Sequence, residues 1–151
     1  MKALNPYLNF NGNTEEVFNF YKSIFGGDFA TIMRFKDIPA DVPMDGCADM
    51  DSDKNTEDIG EKIMHIALPI GNNILMASDM PPHMPEVKAG TNTALSISVE
   101  SRDEADRVYK GLSEGGNAMM PMADAFWGDY FGMLTDKYGI QWMVNFETKQ
   151  Q

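Results

Sequence analysis

The sequence predicts an α+β fold that is made of two consecutive β-α-β-β-β modules. The first observation is a repeat, because residues 14–27 (TEEVFNFYKSIFGG) and residues 102–116 (RDEADRVYKGLSEGG) both read as an amphipathic helix that ends at two glycines. The second is that one strand-like stretch precedes each helix and three follow it. The third is the segment MPPHMPE at residues 80–86, whose prolines separate the two halves.

Both predicted helices have a start signal and an apolar stripe. Asn13 precedes Glu16 by three residues, which is the spacing of a capping box at a helix N-terminus. Ser101 and Glu104 repeat this spacing in the second half. We therefore expect each helix to begin at a capped residue and to cover one face of a sheet. The stripes consist of Val17, Tyr21 and Ile24 in the first helix and of Ala105, Val108 and Leu112 in the second.

The strands are predicted from short runs of β-forming residues between turn signals. In the first half they are Tyr7–Phe10, Phe29–Phe35, Lys62–Ile70 and Asn73–Ser78, the last two joined by a tight hairpin at Gly71 and Asn72. In the second half they are Leu95–Val99, Ala118–Met122, Tyr130–Thr135 and Ile140–Phe146. We expect one domain over residues 1–151, with module 1 at about residues 3–80, module 2 at about residues 92–148 and an acidic loop at residues 36–61.

The composition excludes several classes of function. With 12 Lys and Arg against 23 Asp and Glu, the formal net charge is −11, so we expect neither nucleic acid nor a membrane as a partner. The single cysteine, Cys47, excludes an intramolecular disulfide and a cysteine-built zinc site. The start MKALNPYLNFNG lacks the apolar stretch of a signal peptide, and no apolar run has transmembrane length, so a cytoplasmic protein is expected.

The predicted strands have one apolar face and one polar face without charges. Successive side chains point to opposite faces, and the face away from the helices carries Asn, Ser, Gln, His, Tyr and Met. Neutral polar groups suit a partly desolvated cavity that orients a small ligand, whereas a face in bulk water normally carries charges. A hydrated barrel interior without a ligand and a dimer interface remain open as alternatives. The strand residues that we expect to contact a ligand are Tyr7, Asn9, His65, Ser96, Gln141 and Met143.

His65 is the best candidate for catalysis on this face. It lies between apolar Met64 and Ile66, and it could act as a general base or donate a hydrogen bond to an anionic ligand. The alternative is a neutral imidazole that is hydrogen-bonded to a neighbouring carbonyl. No Ser-His-Asp order, phosphate-binding glycine loop or paired-carboxylate motif accompanies it, so the sequence supports neither a hydrolase nor a nucleotide-binding protein.

Aromatic and methionine side chains add to the predicted site. Phe126 and Trp127, in the segment DAFWGDYFG, could close the mouth of a cavity and stack on a flat ligand. The alternative is that they pack across a dimer interface or between the modules. Methionines suit a permissive pocket but also fill ordinary cores; those concerned are Met119, Met120, Met122, Met133 and Met143.

Three segments resemble a known family. PYLNFNGNTEEVFNFYKSIFGG, HIALPIGNNILMASD and FWGDYFGMLTDKYGIQWMVN are similar to the PhnB-like branch of the vicinal oxygen chelate (VOC) superfamily, which includes glyoxalase I and bleomycin- and fosfomycin-resistance proteins. The resemblance covers residues 4–147. It implies paired βαβββ modules whose curved mixed sheets enclose a cavity, usually in a homodimer. PhnB-like proteins have also been labelled demethylubiquinone methyltransferases, but no segment resembles the glycine-rich cofactor loop of the common methyltransferase fold.

The resemblance does not extend to the metal ligands of the superfamily. Metal-dependent members place His, Gln or Glu on the first and last strands of each module. The aligned positions lie near Pro6 or Tyr7, near Ala94, near Met76 and at Met143, and none of these residues is a good hard-metal ligand. The second histidine, His83, lies in the proline-rich connection. We therefore expect no metal and no cofactor.

The expected function is the binding of a small organic molecule in a metal-poor cavity, with catalysis left open. One alternative is a divalent-metal-dependent lyase, isomerase or dioxygenase of the glyoxalase type. The other is a resistance protein that sequesters a drug without turnover.

Overall fold

A computed structural model describes residues 1–39, 59–81 and 84–148. The chain divides into two compact units, Met1–Val87 and Lys88–Gln151. In the first unit the elements are β1 (Tyr7–Phe10), α1 (Thr14–Phe25), β2 (Thr31–Arg34), a 3₁₀ turn (Phe35–Asp37), β3 (Ile63–Ile70) and β4 (Asn73–Asp79). In the second they are β5 (Leu95–Ser98), α2 (Arg102–Ser113), β6 (Asn117–Asp124), β7 (Tyr130–Thr135) and β8 (Gln141–Phe146). The predicted β-α-β-β-β order is confirmed in both units. Most of the predicted 36–61 loop, Cys47 and His83 lie outside the described residues.

Each unit contains a four-stranded mixed sheet. The strand orders are β1-β4-β3-β2 and β5-β8-β7-β6. In each sheet the first strand is parallel to its neighbour, and the other pairs are antiparallel. The helix connects the two edge strands of each sheet, which run in the same direction and therefore need a crossover connection. The predicted α+β class with mixed sheets is confirmed.

Helix α1 packs on β3 and β4 of its own sheet. The buried helix side chains include Val17, Phe18 and Tyr21, each fully buried. The sheet contributes Ile66 and Leu68, which are also fully buried. These residues belong to the predicted apolar face, so side-chain alternation assigned the helix side of this sheet correctly.

Helix α2 packs on β6, β7 and β8. Its buried residues are the predicted Ala105, Val108 and Leu112. Trp142 is the largest fully buried side chain of the chain's described residues, and its indole Nε1 donates a 2.9 Å hydrogen bond to Asp136 Oδ2. The other oxygen of Asp136 accepts the backbone N–H groups at 138 and 140. This buried carboxylate therefore stabilises both the β7–β8 turn and the core tryptophan.

The two helices begin differently, which corrects one prediction. Ser101 Oγ accepts the backbone N–H of Glu104 at 3.0 Å, so the predicted cap of α2 is confirmed. Asn13 makes no capping hydrogen bond through its side chain. Instead, Asp79 Oδ1 accepts the N–H of Thr14 at 3.0 Å and the Thr14 hydroxyl at 2.6 Å. Asn13 is the N-cap residue by position, but the predicted capping bond of its side chain is wrong, and a carboxylate at the end of β4 accepts the first helix N–H instead.

Within the described ranges, no helix has the length and apolarity that a bilayer crossing needs.

Candidate functional site

In the first unit, the sheet face opposite α1 is uncharged. The β1–β4 register places Tyr7 opposite Met76 and Asn9 opposite Ser78. Opposed residues of paired strands point to the same face, so this face continues across β3 and β2. Its side chains are Tyr7, Asn9, Thr31, Met33, His65, Ala67, Met76 and Ser78. The structure thus brings together the predicted residues Tyr7, Asn9 and His65.

Tyr7 and His65 form a contact across β4. Their rings are stacked, with centroids 5.8 Å apart and 29° between the planes. The Tyr7 hydroxyl lies 3.4 Å from His65 Nδ1, at hydrogen-bond distance. When the phenol donates, the neutral imidazole carries its proton on Nε2 and presents a donor there. His65 is half-buried and Tyr7 is 46% exposed, so both remain accessible to a ligand.

Asn9 and Ser78 lie beside this pair and are bonded to each other. The Ser78 hydroxyl donates to Asn9 Oδ1 over 3.4 Å. This bond orients the Asn9 amide, because the oxygen faces Ser78. The amide nitrogen of Asn9 is then the donor that a ligand could meet.

In the second unit, the strand residues of the corresponding sheet face are also uncharged and are rich in methionine, and at its end Asn145 Nδ2 donates to Asp129 Oδ2 at 3.2 Å. One row across the strands consists of Ser96, Met143, Met133 and Met120. The next row consists of Ser98, Asn145, Phe131 and Ala123. The predicted residues Ser96 and Met143 are therefore direct neighbours on β5 and β8.

Gln141 has a structural role that the sequence did not indicate. Its amide Nε2 donates to the carbonyl oxygens of Gly90 and Thr93, at 3.1 and 3.0 Å. These bonds hold the segment that leads into β5. A ligand contact at Gln141 would therefore have to use Oε1.

Phe126 and Trp127 lie in the hairpin loop between β6 and β7. The loop is closed by two backbone hydrogen bonds, from Ala125 N to Asp129 O at 2.8 Å and from Gly128 N to Ala125 O at 3.0 Å. Phe126 is 98% exposed and Trp127 is 50% exposed. The indole contacts the ring of Phe131 edge-on, with centroids 5.5 Å apart.

Because Phe131 belongs to the uncharged face, Trp127 lies against the end of that face. Phe131 and Met33 are site-face residues that the sequence analysis did not name. Strand alternation could have placed both, since each stands on a correctly predicted strand.

A concave region of about 440 Å³ lies beside the start of α1. Its lining includes two cations whose charged groups already have partners: Arg34 is paired with Glu15, and Lys62 Nζ donates to the carbonyl of Gly12 at 2.9 Å. Glu61 also lines it, and the Lys36 ammonium beside this carboxyl lowers its pKa. The contacts of Arg34 with Glu15 and of Lys62 with Gly12 connect β2 and the start of β3 to the start of α1, so we assign these charged side chains a structural role.

The superfamily's divalent-metal ligands do not fit this chain. The positions that the resemblance aligns with those ligands lie near Tyr7 and Met76 in the first unit and near Ala94 and at Met143 in the second. A phenol, a methyl group and two thioethers do not provide the imidazole and carboxylate donors that hard divalent metals prefer. Among the described residues, no group of three or more His, Cys, Asp or Glu side chains could hold a metal ion.

Comparisons with known proteins give the family. The sequence profile of 3-demethylubiquinone-9 3-methyltransferase matches residues 2–145. Protein YjdN of Escherichia coli (strain K12) is 30% identical over 149 residues, which are 98% of this chain and 97% of that protein. The crystal structure of protein PA1353 from Pseudomonas aeruginosa is 37% identical, with a TM-score of 0.78 over 97% of this chain and 98% of that chain.

More distant structures share the fold. The PhnB protein from Bacillus cereus is 24% identical, with a TM-score of 0.70 over 96% of this chain and 99% of that chain. A glyoxalase/bleomycin resistance protein/dioxygenase family enzyme from Burkholderia phytofirmans is 14% identical, with a TM-score of 0.58 and coverage of 96% and 99%. The chain therefore belongs to the 3-demethylubiquinone-9 3-methyltransferase family, and it shares its fold with a glyoxalase/bleomycin resistance protein/dioxygenase family enzyme.

Proposed function

We propose that this protein binds a small, uncharged organic molecule through the uncharged faces of its sheets. The observation that carries the proposal is the Tyr7–His65 pair, a stacked and hydrogen-bonded polar couple on a face that has no charged side chain. A few placed polar groups among apolar ones are typical of a ligand site, because they orient a ligand without the desolvation cost of a charge.

The side chains around the pair favour a ligand with a flat ring. Tyr7 and His65 offer aromatic surfaces, and Met33 and Met76 offer flexible apolar ones. The His65 imidazole and the Asn9 amide supply hydrogen bonds for an oxygen substituent on that ring. The family's description names a ring of this kind, a demethylated ubiquinone, so phenols and quinones are the first compounds to test.

We propose further that residues 1–151 act as one domain, in a homodimer, in the cytoplasm. The family profile spans both units, which supports a single domain. Phe126 and Trp127 are 98% and 50% exposed with ring centroids 5.1 Å apart, and this exposed apolar patch supports a partner copy. The net charge of −11 and the single cysteine are in keeping with a cytoplasmic protein.

The test is a thermal-shift screen with phenols, quinones, S-adenosylmethionine and bleomycin-like drugs. A ligand at about 100 times its Kd adds about 2.7 kcal/mol to the free energy of unfolding, which raises Tm by several degrees. We expect a phenol or quinone to raise Tm in the wild type and His65→Ala to weaken its Kd about tenfold, or about 1.4 kcal/mol. Asn72→Ala, in the exposed β3–β4 hairpin, is the control and should bind like the wild type.

The recovered ligand then separates the alternatives. A recovered ligand with unchanged mass and unchanged NMR spectrum means binding without turnover, and a change in either means catalysis, for which His65 is the proposed general base. One bound Zn, Ni, Mn or Fe per chain that is needed for turnover would favour the metal-dependent glyoxalase alternative. Equal binding by wild type and His65→Ala would contradict the proposed site.

A further inference from the structure

We infer that Met120, Met133 and Met143, here called the thioether row, form a binding site for a soft monovalent metal ion, Cu(I) or its redox-inert analogue Ag(I). The proposal goes beyond organic-ligand binding and depends on the second unit alone. Its failure would leave the proposed function untouched, because the Tyr7–His65 pair belongs to the other unit.

The sheet register places the three methionines side by side. Met120 is opposite Met133 on β6 and β7, and Met133 is opposite Met143 on β7 and β8. Directly opposed residues point to the same face, with Cβ atoms about 5 Å apart. Methionine has three rotatable side-chain bonds, so the two outer sulfurs can turn toward an ion above the central one.

The thioether row ends at the edge strand β6, where the sulfur of Met119 lies nearby. Thr135 Oγ1 contacts Met119 Sδ at 3.2 Å, which places this thioether on the same face. The pairing of β6 with β7 is irregular on both sides of Met120. Such an irregularity can re-aim a side chain, and here it brings two consecutive methionines to one face.

The backbone beneath the row is fixed by one tyrosine. The Tyr109 hydroxyl donates to the carbonyl oxygens of Met120 and Met133, at 2.9 and 3.1 Å. These bonds come from the helix side and join the two strands at the residues that carry the sulfurs. The site is therefore held in place before an ion binds, which favours affinity.

Exposure argues against simple core packing. Met119 is 47% exposed and Met120 is 49% exposed, whereas a core methionine would be buried. Met133 and Met143 are half-buried, so the row runs from the surface inward. An ion could enter from the β6 edge.

The chemistry of the donors selects the metal. Thioethers are soft, uncharged ligands that favour Cu(I) over hard divalent ions. A net charge of −11 raises the local concentration of cations at the surface. Unlike imidazole or thiol, a thioether has no proton to lose, so metal binding at the row releases none.

The test is an Ag(I) titration of the full chain, carrying Cys47→Ser to remove the one thiol, with ¹³C-methyl-labelled methionine. We expect one tightly bound Ag(I) per chain and shifted methyl signals for Met120, Met133 and Met143. The affinity for Ag(I) should be nearly constant between about pH 5 and about pH 7.5. At a site built from imidazole, the affinity would fall toward pH 5, because protons compete with the ion. The same titration with Cu(I) under anaerobic conditions should give the same stoichiometry.

Two variants complete the experiment. Met133→Leu keeps the size and apolarity of the side chain but removes the central sulfur, and we expect affinity to fall about tenfold or more. Met122→Leu is the matched control on the same strand: a Cβ at Gly132 would lie 2.6 Å from Met122 Sδ and 2.9 Å from Tyr109 Cε2, so this sulfur faces the helix. Unchanged affinity in Met133→Leu, shifts confined to other methionines, or no binding would overturn the proposal.

Discussion

The phenol ring of Tyr7 lies stacked on the imidazole of His65, although the two residues stand on strands that are not neighbours. Strand β4 separates β1 from β3, and the hydroxyl of Tyr7 reaches across it to within 3.4 Å of Nδ1. The pair joins the first strand of the unit to the strand that carries the only histidine among the described residues of this chain. This contact gives the uncharged face a polar group of defined orientation.

The Tyr7 hydroxyl should select the tautomer of His65. A phenol is a better hydrogen-bond donor than acceptor, so we expect it to donate to an unprotonated Nδ1 and neutral His65 to carry its proton on Nε2. Tyr7→Phe keeps the ring stack but removes the donor, so the two tautomers should then become comparable in population. ¹⁵N NMR of labelled histidine measures this, with His83→Gln used to assign the signals. An Nδ1–H tautomer in the wild type would contradict this account.

Asp79 should be the most sensitive polar residue of the first unit. Its buried carboxylate accepts hydrogen bonds from the backbone N–H groups of Gly12, Thr14 and Ile63 and from the Thr14 hydroxyl. Asp79→Asn places an amide N–H₂ against at least one of these donors, so we expect a loss of about 2–4 kcal/mol in the free energy of unfolding.

Asn13→Ala is the matched control for Asp79→Asn. Because the Asn13 side chain makes no capping bond, the loss should stay within about 0.5 kcal/mol. Urea unfolding followed by circular dichroism measures both variants. An Asn13→Ala variant that loses more stability than Asp79→Asn would show that the helix start depends on its own residue after all.

Replacing Ser101 by alanine should destabilise the protein, unlike the same replacement of Asn13. Its hydroxyl oxygen caps α2 by accepting the N–H of Glu104, and the Glu104 carboxylate accepts the N–H of Glu100 at 2.8 Å. Ser101→Ala should therefore cost about 1 kcal/mol. Comparing the losses of unfolding free energy in Ser101→Ala and Asn13→Ala, at the same pH and in the same denaturant, tests whether only α2 is capped by its own N-cap side chain. Equal costs would contradict the structure.

Tyr109 should make stability sensitive to alkaline pH. Desolvation raises the pKa of its phenol above the ordinary value near 10, and the protonated hydroxyl donates to two carbonyls. A raised folded-state pKa means that this stabilisation is complete below about pH 10 and is lost as the pH rises through the folded-state pKa. At neutral pH, Tyr109→Phe should cost about 1 kcal/mol.

The measurement for Tyr109 is the difference in unfolding free energy between wild type and Tyr109→Phe as a function of pH. This difference should be constant up to about pH 9 and should shrink above about pH 10. The pKa of the Tyr130 phenol is also raised, by its hydrogen bond to Asp106. Because Tyr130 is present in both the wild type and the variant, its contribution cancels in the difference. A difference that grows with pH would contradict the assignment.

Local periodicity was enough to predict the elements of this fold. Strands β1 and β7 were predicted at their observed bounds, and the other strands and the two helices differ by at most three residues at either end. Alternation along each strand also separated the helix-covered face from the uncharged one, which is why Tyr7, Asn9, His65, Ser96 and Met143 were named correctly as residues of that face.

Contacts between distant parts of the chain could not be predicted in this way. The carboxylate that caps α1 comes from Asp79, which lies 65 residues beyond Thr14. The amide nitrogen of Gln141 is bonded to carbonyls that precede β5, about fifty residues earlier. Both depend on which strands pair and in which register, and no local pattern carries that information.

The most direct test of the uncharged-face site is to map a bound compound onto the protein. We predict that titration with the best phenol or quinone from the screen shifts the NMR signals of Tyr7, His65 and the Met33 and Met76 methyl groups, and that His65→Ala weakens these shifts. Shifts centred instead on Gly12, Glu15 and Arg34, beside the start of α1, with the His65 signals unchanged, would contradict the account.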